Sequence, residues 1–144
     1  MDTSFSTALH ILVLLDAPGG RGLRAEAIAR SVGTHPVRVR QMLARLGAAG
    51  LTVTLRGRHG GSFLARPLHS VSLGDVYIAV VPETAVLFPV HATSNRRCPV
   101  GGNIELALLA PLAEVDAVVL ETLRGIRVSR VAESVRRLAR RRPT

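Results

Sequence analysis

Two stretches with helical apolar spacing, joined by a short turn at Gly33, constrain the fold of this chain more than any other feature. The apolar positions of residues 23–32 fall on one helix face, and Gly33 follows them as a helix breaker. Thr34 offers an N-cap, and Pro36 suits the first turn of a second helix that extends to about residue 49. Two short helices joined by a tight glycine-containing turn predict a helix-turn-helix unit.

The second of these helices has one apolar face and one face suited to reading DNA. The apolar stripe, which we expect to be buried, consists of Val39, Met42, Leu43 and Leu46. The side chains left on the outer face are Val37, Arg38, Arg40, Gln41 and Arg45. In the major groove an Arg donates two hydrogen bonds to guanine, a Gln pairs with adenine, and an apolar side chain contacts the thymine methyl group. On a helix standing alone, the same residues would indicate only a solvated basic face.

A predicted β-hairpin follows this helix and carries basic side chains at its tip. Residues 51–55 and 63–65 are short segments rich in strand-forming residues. The tip between them consists of Arg56, Gly57, Arg58, His59, Gly60 and Gly61. Glycines allow the backbone to approach phosphates or a minor groove closely. A helix-turn-helix followed by such a basic wing is far more specific for DNA binding than either part alone.

The pattern along the whole chain predicts a mainly α protein with one small β-hairpin. Further helices are expected over residues 4–16 and 73–81. We therefore assign residues 1–81 to a winged helix-turn-helix DNA-binding domain and residues 82–102 to a linker. Residues 103–142 are assigned to a long dimerisation helix and a C-terminal basic helix.

The predicted dimerisation helix carries an apolar repeat within residues 103–124. The repeat consists of Ile104, Leu108, Leu112, Val115, Val119 and Leu123. Pro111 interrupts it, and because proline removes a backbone donor, we expect a kink or a new helix starting at that position. A stripe of this length is not expected to face water, so it predicts a homodimer.

The charge of the chain indicates a polyanionic partner. The sequence has 19 basic residues, all of them Arg, against 10 acidic ones, and its formal net charge is +9. Membrane surfaces are the competing polyanion, but the helix and the wing favour double-stranded DNA. Aromatic residues form only 3% of the chain, so recognition of single-stranded nucleic acid by base stacking is not expected.

The sequence does not predict a membrane protein, an enzyme or a metal site. Its apolar runs are too short to span a bilayer and its first residues lack the positive region of a secretory signal, so we expect a cytoplasmic protein. The acidic residues are unpaired, and the sequence lacks nucleophile motifs, phosphate loops and zinc-protease motifs. The single cysteine, Cys98, excludes an intrachain disulfide and any site that needs several cysteines from one chain.

Several segments share the pattern of one group of bacterial proteins. They are residues 38–46, 49–51, 56–65, 73–77 and 98–104, and the RGxxGG motif of the wing is the most specific of them. On these residues the chain resembles the Rrf-two family of winged helix-turn-helix transcriptional regulators, and the resemblance covers nearly its whole length.

The resemblance implies a homodimer that places two recognition helices on a pseudo-palindromic operator. Family members act as repressors or activators, and we favour a repressor. Members that bind an iron–sulfur cluster use three cysteines before the dimerisation helix, whereas this chain has only Cys98, at the place of the last one. The resemblance is therefore closer to single-cysteine members, and we expect no iron–sulfur cluster and no other cofactor.

Two alternatives stay open from the sequence. Cys98 follows Arg96 and Arg97 and precedes the dimerisation helix, so positive side chains and a helix N-terminus could favour a thiolate that senses oxidants. A small half-buried residue that packs the linker against the dimerisation helix fits equally well. The alternative to a sequence-specific regulator is an architectural or protein-interaction winged-helix module that binds DNA weakly and without sequence preference. The sequence does not name the effector, whether a small molecule or an oxidant.

Overall fold

The computed structural model describes residues 3–17, 19–91 and 93–141. The elements are, in order, α1 Ser4–Leu15, α2 Ala25–Val32, α3 Pro36–Ala48, β1 Thr52–Leu55, β2 Gly61–Leu64, a 3-10 turn Leu68–Ser70, α4 Leu73–Val80, α5 Ile104–Arg124 and α6 Val128–Arg140. This mainly helical arrangement with one antiparallel hairpin confirms the predicted fold class. Residue 142, the predicted end of the C-terminal helix, lies outside the described residues.

The hydrophobic core joins the first and the last of these helices. Ile11 and Leu12 of α1 are fully buried, in one cluster with Leu46 of α3. Val128 and Ala132 of α6 belong to the same cluster. The helix α6 therefore packs on the N-terminal part of the chain, although it follows the long helix α5 in sequence.

In the turn between α2 and α3, the N-cap of α3 lies one residue later than predicted. Gly33 ends α2 in the left-handed conformation, with φ of 74°, and the N–H groups of Gly33 and Thr34 both donate to the Ala29 carbonyl. Because Thr34 completes this helix end, the chain enters α3 one residue later. His35 is the N-cap, and its Nδ1 accepts a hydrogen bond from the Val37 N–H at 3.3 Å. The prediction of Thr34 as the N-cap was wrong.

The wing is a two-stranded antiparallel hairpin with an additional backbone contact. Its register pairs Leu55 with Gly61 next to the tip. On the other edge, Leu23 and Ser62 exchange two N–H to carbonyl hydrogen bonds of 3.1 and 2.8 Å. Because of this pairing, Leu23 is extended and α2 begins two residues later than predicted. The second strand begins at Gly61 rather than at residue 63, since Ser62 is paired on both of its edges.

A short backbone pairing attaches the junction between α5 and α6 to the start of α4. The Leu73 N–H donates to the Ile126 carbonyl at 2.8 Å, and the Val128 N–H donates to the Val71 carbonyl at 2.9 Å. Val71 and Val128 are both buried in the core. Residues 71–73 and 126–128 therefore form a two-sided connection, which we call the junction pairing.

Helix α5 carries apolar residues on more than one face, and not one of its residues is buried in this chain. The predicted repeat lies on the half-buried face, with the exception of the exposed Val115. Rotation by 100° per residue places the exposed residues Leu106, Leu109, Ala113 and Ala117 on the other face. The helix is continuous through Pro111, so a new helix does not start there, and the alternative of a kink stays a prediction.

The segment between α4 and α5 has turns but no helix or strand over residues 82–91 and 93–103. The predicted boundaries at residues 82 and 103 stay predictions. The helix α6, which belongs to the predicted segment 103–142, packs on the predicted segment 1–81. Among the described residues, none of the helices is long and apolar enough to cross a membrane.

Helix α4 begins with a capping box. The Asp75 N–H donates to Ser72 Oγ at 3.0 Å, and the Ser72 N–H donates to Asp75 Oδ2 at 2.8 Å. This backbone hydrogen bond lowers the pKa of Asp75, against an opposing effect of burial, and the Ser72 hydroxyl and the charges of Arg66 and Arg127 lower it further.

We predict that Ser72→Ala lowers the free energy of unfolding by about 1 kcal/mol, the usual effect of losing an N-cap hydroxyl. Because the pKa of Asp75 is lowered in the folded state, its stabilising effect is full above the ordinary carboxyl pKa and is lost as the pH falls through the lowered value. Urea unfolding at fixed protein concentration and at several pH values measures both effects, and Asp75→Asn should remove the second.

Ser134→Ala is the control for this prediction, because both hydrogen bonds of the Ser134 hydroxyl stay within its own helix: it donates to the Arg130 carbonyl at 3.0 Å and accepts from Arg137 Nη2 at 3.4 Å. We expect its unfolding midpoint to match that of the wild type. Equal midpoints for Ser72→Ala and the wild type would contradict the stabilising role of the cap.

Candidate DNA-binding surface

The side chains of α3 that were predicted to face DNA all lie on its exposed side. The buried side consists of the predicted stripe Val39, Met42, Leu43 and Leu46. The exposed side consists of Val37, Arg38, Arg40, Gln41 and Arg45. Val37 is 49% exposed although it is apolar. The helix therefore presents basic and amide donors together with one apolar side chain, on a surface that nothing in the described chain covers.

Arg45 bonds to the backbone of another helix. Its Nη1 donates to the Val80 carbonyl at 3.1 Å, at the end of α4, where helix carbonyls lack partners within their own helix. The side chain thus connects α3 to α4 and fixes the direction of α3. A contact between Arg45 and DNA stays a prediction.

Arg40 forms an ion pair that our sequence analysis did not predict. Its Nη2 donates to Oε1 of Glu26, which lies in the first turn of α2. The side chain of Arg40 is 56% exposed and that of Glu26 is 52% exposed, so both can be reached from solvent. Sequence patterns of DNA binding consist of basic and polar residues, so Glu26 was not considered. The available signal was an isolated acidic residue beside the predicted recognition helix.

The wing tip is connected to the start of α2. Arg24, the residue before that helix, donates from Nη2 to the Gly57 carbonyl at 3.2 Å. Arg56, Arg58 and His59 are exposed at the tip. The residues at the start of α2 therefore contact both of the predicted DNA-binding elements.

The glycines of the tip have conformational reasons within the hairpin itself. Gly57 has a φ of 102°, which strains any other residue. A Cβ on Gly60 would collide with the Leu55 carbonyl oxygen, and a Cβ on Gly61 would lie 2.7 Å from the backbone carbon of Gly22. Close packing of the hairpin therefore requires Gly60 and Gly61, and the approach of DNA to this backbone stays a prediction.

Cys98 is exposed, which contradicts the half-buried packing interpretation within one chain. The pKa of its thiol is lowered, first by the backbone N–H of Gly101 and then by that of Val100. We had expected the charges of Arg96 and Arg97 to favour the thiolate, but the cause is this turn of the backbone. The Cys98 thiol is therefore accessible, and its pKa lies below that of an ordinary thiol.

A helix-turn-helix whose second helix presents Arg and Gln beside a basic hairpin defines a winged helix-turn-helix DNA-binding protein. The chain belongs to the Rrf2 family of transcriptional regulators, because the family described as "Rrf2: Iron-dependent Transcriptional regulator" matches residues 1–134. This match confirms the resemblance seen in the sequence. The protein is a DNA-binding transcriptional regulator, and its family is not one of enzymes.

Relatives and solved structures agree with this assignment. A Bacillus subtilis protein named as the HTH-type transcriptional regulator YwnA is 37% identical over 108 residues, which are 75% of this chain and 78% of YwnA. A structure named as a transcriptional regulator from Lactobacillus plantarum has a TM-score of 0.76 at 24% identity and covers 94% of this chain and 91% of its own. CymR of B. subtilis, named as the global cysteine regulator, has a TM-score of 0.64 at 20% identity and covers 93% of this chain and 96% of its own.

The donor set of this chain does not fit an iron–sulfur cluster, although the family description names iron. Such clusters are held mainly by several cysteine thiolates, and the sequence has one cysteine. Over residues 3–17, 19–91 and 93–141, no three His, Cys, Asp or Glu side chains lie close enough to hold a metal ion together.

Proposed function

We propose that the protein is a sequence-specific regulator in which α3 reads base edges through Val37, Arg38, Arg40 and Gln41. The observation that carries this proposal is the joint exposure of these four side chains on the second helix of a helix-turn-helix unit. An α-helix fits the major groove, where Arg and Gln distinguish guanine from adenine. Arg45 supports the same surface by holding α3 to α4.

The wing supplies contacts that do not depend on sequence. Arg56, Arg58 and His59 bind the sugar-phosphate backbone, and Gly57, Gly60 and Gly61 let the tip turn tightly enough to reach it. The formal net charge of +9 supports such contacts with a polyanion. A winged module with only this second kind of contact would be the architectural alternative.

The regulator acts as a homodimer through residues 103–124. The support for this is α5, which has no buried residue in the single chain and leaves the large apolar side chains Leu106, Leu109 and Val118 exposed. A second copy covers such a surface symmetrically. In this proposal residues 1–81 bind DNA, residues 82–102 form the linker and the helix α5 dimerises, while α6 packs on the core of the winged domain. The two-fold axis implies a pseudo-palindromic operator, and occupation of that operator represses transcription.

The signal to this regulator is oxidation of Cys98 rather than an iron–sulfur cluster, and no other cofactor is needed. With a peroxide, the thiolate sulfur attacks one peroxide oxygen, an S–O bond forms as the O–O bond breaks, and the leaving oxygen takes a proton to give water or an alcohol. The cysteine is oxidised to a sulfenic acid and the peroxide is reduced. The accessible, low-pKa thiol supports this proposal.

Replacing Arg40 or Gln41 by Ala should remove about 1 to 3 kcal/mol of discrimination at one base pair of each half-site. Replacing Arg56 or Arg58 by Ala should instead weaken binding to all sequences and lower the salt slope by about one. Selection of bound fragments from random DNA gives the operator, and titrations with the operator and a scrambled duplex give both affinities.

Arg130→Ala, on the exposed surface of α6, is the control for charge and should change neither affinity strongly. If both pairs of variants lowered specific and random affinity by one factor, the division between α3 and the wing would be wrong. If selection gave no consensus, the architectural alternative would replace the proposal.

Leu109→Glu should convert the dimer to a monomer, because Leu109 is 58% exposed in the single chain and lies on the uncovered face of α5. Sedimentation equilibrium at micromolar protein concentration measures this. Ile78→Glu is the matched control, since Ile78 is 55% exposed but lies on α4, and it should remain dimeric. A wild-type protein that sediments as a monomer would contradict the dimer outright.

Alkylation of Cys98 by iodoacetamide should rise with pH around a midpoint below that of an ordinary thiol, because the thiolate is favoured. Treatment with mild peroxide should change operator affinity in the wild type and leave Cys98→Ser unaffected. The same change in both proteins would exclude Cys98 as the sensor, and a visible absorption band in anaerobically purified protein that disappears in Cys98→Ala would contradict the absence of a cluster.

A further inference from the structure

The start of α2 contacts both proposed DNA-binding elements, and one of its contacts is made by an acidic residue. Arg24 holds the wing through the Gly57 carbonyl, and Glu26 holds Arg40 of α3. A cleft between the wing and α3 is lined by these residues, together with Arg56. Glu26 therefore lies within the surface that the proposed function assigns to DNA.

An acidic residue at this place is unexpected on electrostatic grounds. Residues 1–81 contain four acidic residues, Asp2, Asp16, Glu26 and Asp75. Of the three that the structure describes, Asp16 pairs with Arg136 of α6 at 3.3 Å, and Asp75 caps α4. Those two serve the packing of helices. Glu26 instead pairs with an Arg of the proposed DNA-binding surface, so a favourable effect on recognition has to come through that partner.

The ion pair controls which donors of Arg40 remain available. An Arg guanidinium has five N–H donors in one plane, and Glu26 takes a donor of Nη2. The remaining N–H donors of Arg40 keep a fixed direction as long as the ion pair holds the guanidinium plane. A free Arg side chain rotates among many conformers and pairs with any nearby phosphate, whereas a held one retains donors for a base edge.

We propose that Glu26 is a positioning residue for DNA specificity: it holds the guanidinium of Arg40 for a base edge and lowers the affinity of that cation for phosphates. The inference rests on the proposed function, because it requires that Arg40 contacts DNA. Glu26 therefore mainly lowers the affinity for DNA without the operator sequence, since it weakens the phosphate contacts that all sequences share.

The experiment compares Glu26→Gln with the wild type in selections from a pool of random duplexes. The amide has the shape of the carboxylate but no charge. We expect affinity for a random duplex to rise by about twofold to fivefold, the range of one exposed charge interaction. At the one position of each half-site where Arg40→Ala loses its preference, Glu26→Gln should lose about fivefold or more. The other positions should keep their preferences.

Glu83→Gln is the matched control, because Glu83 is also an exposed carboxylate but lies in the segment between α4 and α5, outside α2, α3, the wing and the dimerisation helix. It changes net charge equally and should leave the selected consensus unchanged. In an Arg40→Ala background, Glu26→Gln should have no further effect on base preference. Thermal unfolding of each variant checks that the change in preference does not follow from a loss of folded protein.

The inference would be overturned if Glu26→Gln selected the same consensus as the wild type while Arg40→Ala lost its base preference at one position. That result would leave the proposed function intact. A further loss of preference from Glu26→Gln in the Arg40→Ala background would also overturn it, since Glu26 would then act without Arg40. A wild-type protein without any consensus would instead refute the proposed function.

Discussion

The junction pairing of residues 71–73 with 126–128 is the connection on which the rest of the arrangement depends. It joins the start of α4 to the end of α5 by hydrogen bonds on both sides, with Val71 and Val128 buried beneath. A Cβ on Gly74 would lie 3.0 Å from the Arg124 backbone nitrogen, so the two helices approach as closely as backbone atoms allow. Backbone contacts therefore hold α5 against the start of α4, and side chains of the core and Arg45 join α4 to α3. In the proposed dimer, both connections contribute to the separation of the two recognition helices.

The Arg residues of this chain have several different functions, although they all count equally in the net charge. Arg45 bonds a helix end, Arg24 bonds the wing backbone, and Arg136 pairs with an acid of α1. Such pairing uses donors that would otherwise attract phosphate. The charge of these residues remains, but fewer of their N–H donors are available to DNA than the count of Arg residues implies. A basic surface becomes selective when part of its charge is fixed in direction.

The sequence predicted the helices and the hairpin because apolar spacing and turn residues are local signals. It also placed the buried and exposed sides of α3 correctly, since the helical period of 3.6 residues turns Leu43 and Leu46 to a different side from Arg40 and Gln41. Exact boundaries were missed where a distant segment decides them. Leu23 left the predicted helix because it pairs with Ser62, and no periodicity within residues 23–32 reports that contact.

The candidate site was less predictable than the fold, for physical reasons. Glu26 entered it through an ion pair across two helices, which depends on side-chain direction rather than on a pattern. The low pKa of the Cys98 thiol comes from N–H groups in the following turn, whereas the sequence directed attention to neighbouring charges. For α5, both faces are apolar, so spacing alone selected the half-buried face and not the exposed one.

The packing of α6 against α1 has a consequence for how the protein reaches this structure. Asp16 and Arg136, which join the two helices, are 120 positions apart in the chain. Val128 and Ala132 fill part of the cluster that holds Ile11 and Leu12, so the hydrophobic interior of the winged domain is incomplete until α6 is in place. Contacts of such long sequence separation slow folding. During synthesis, the part of the core beside α1 is therefore completed only after α5 and α6 have left the ribosome.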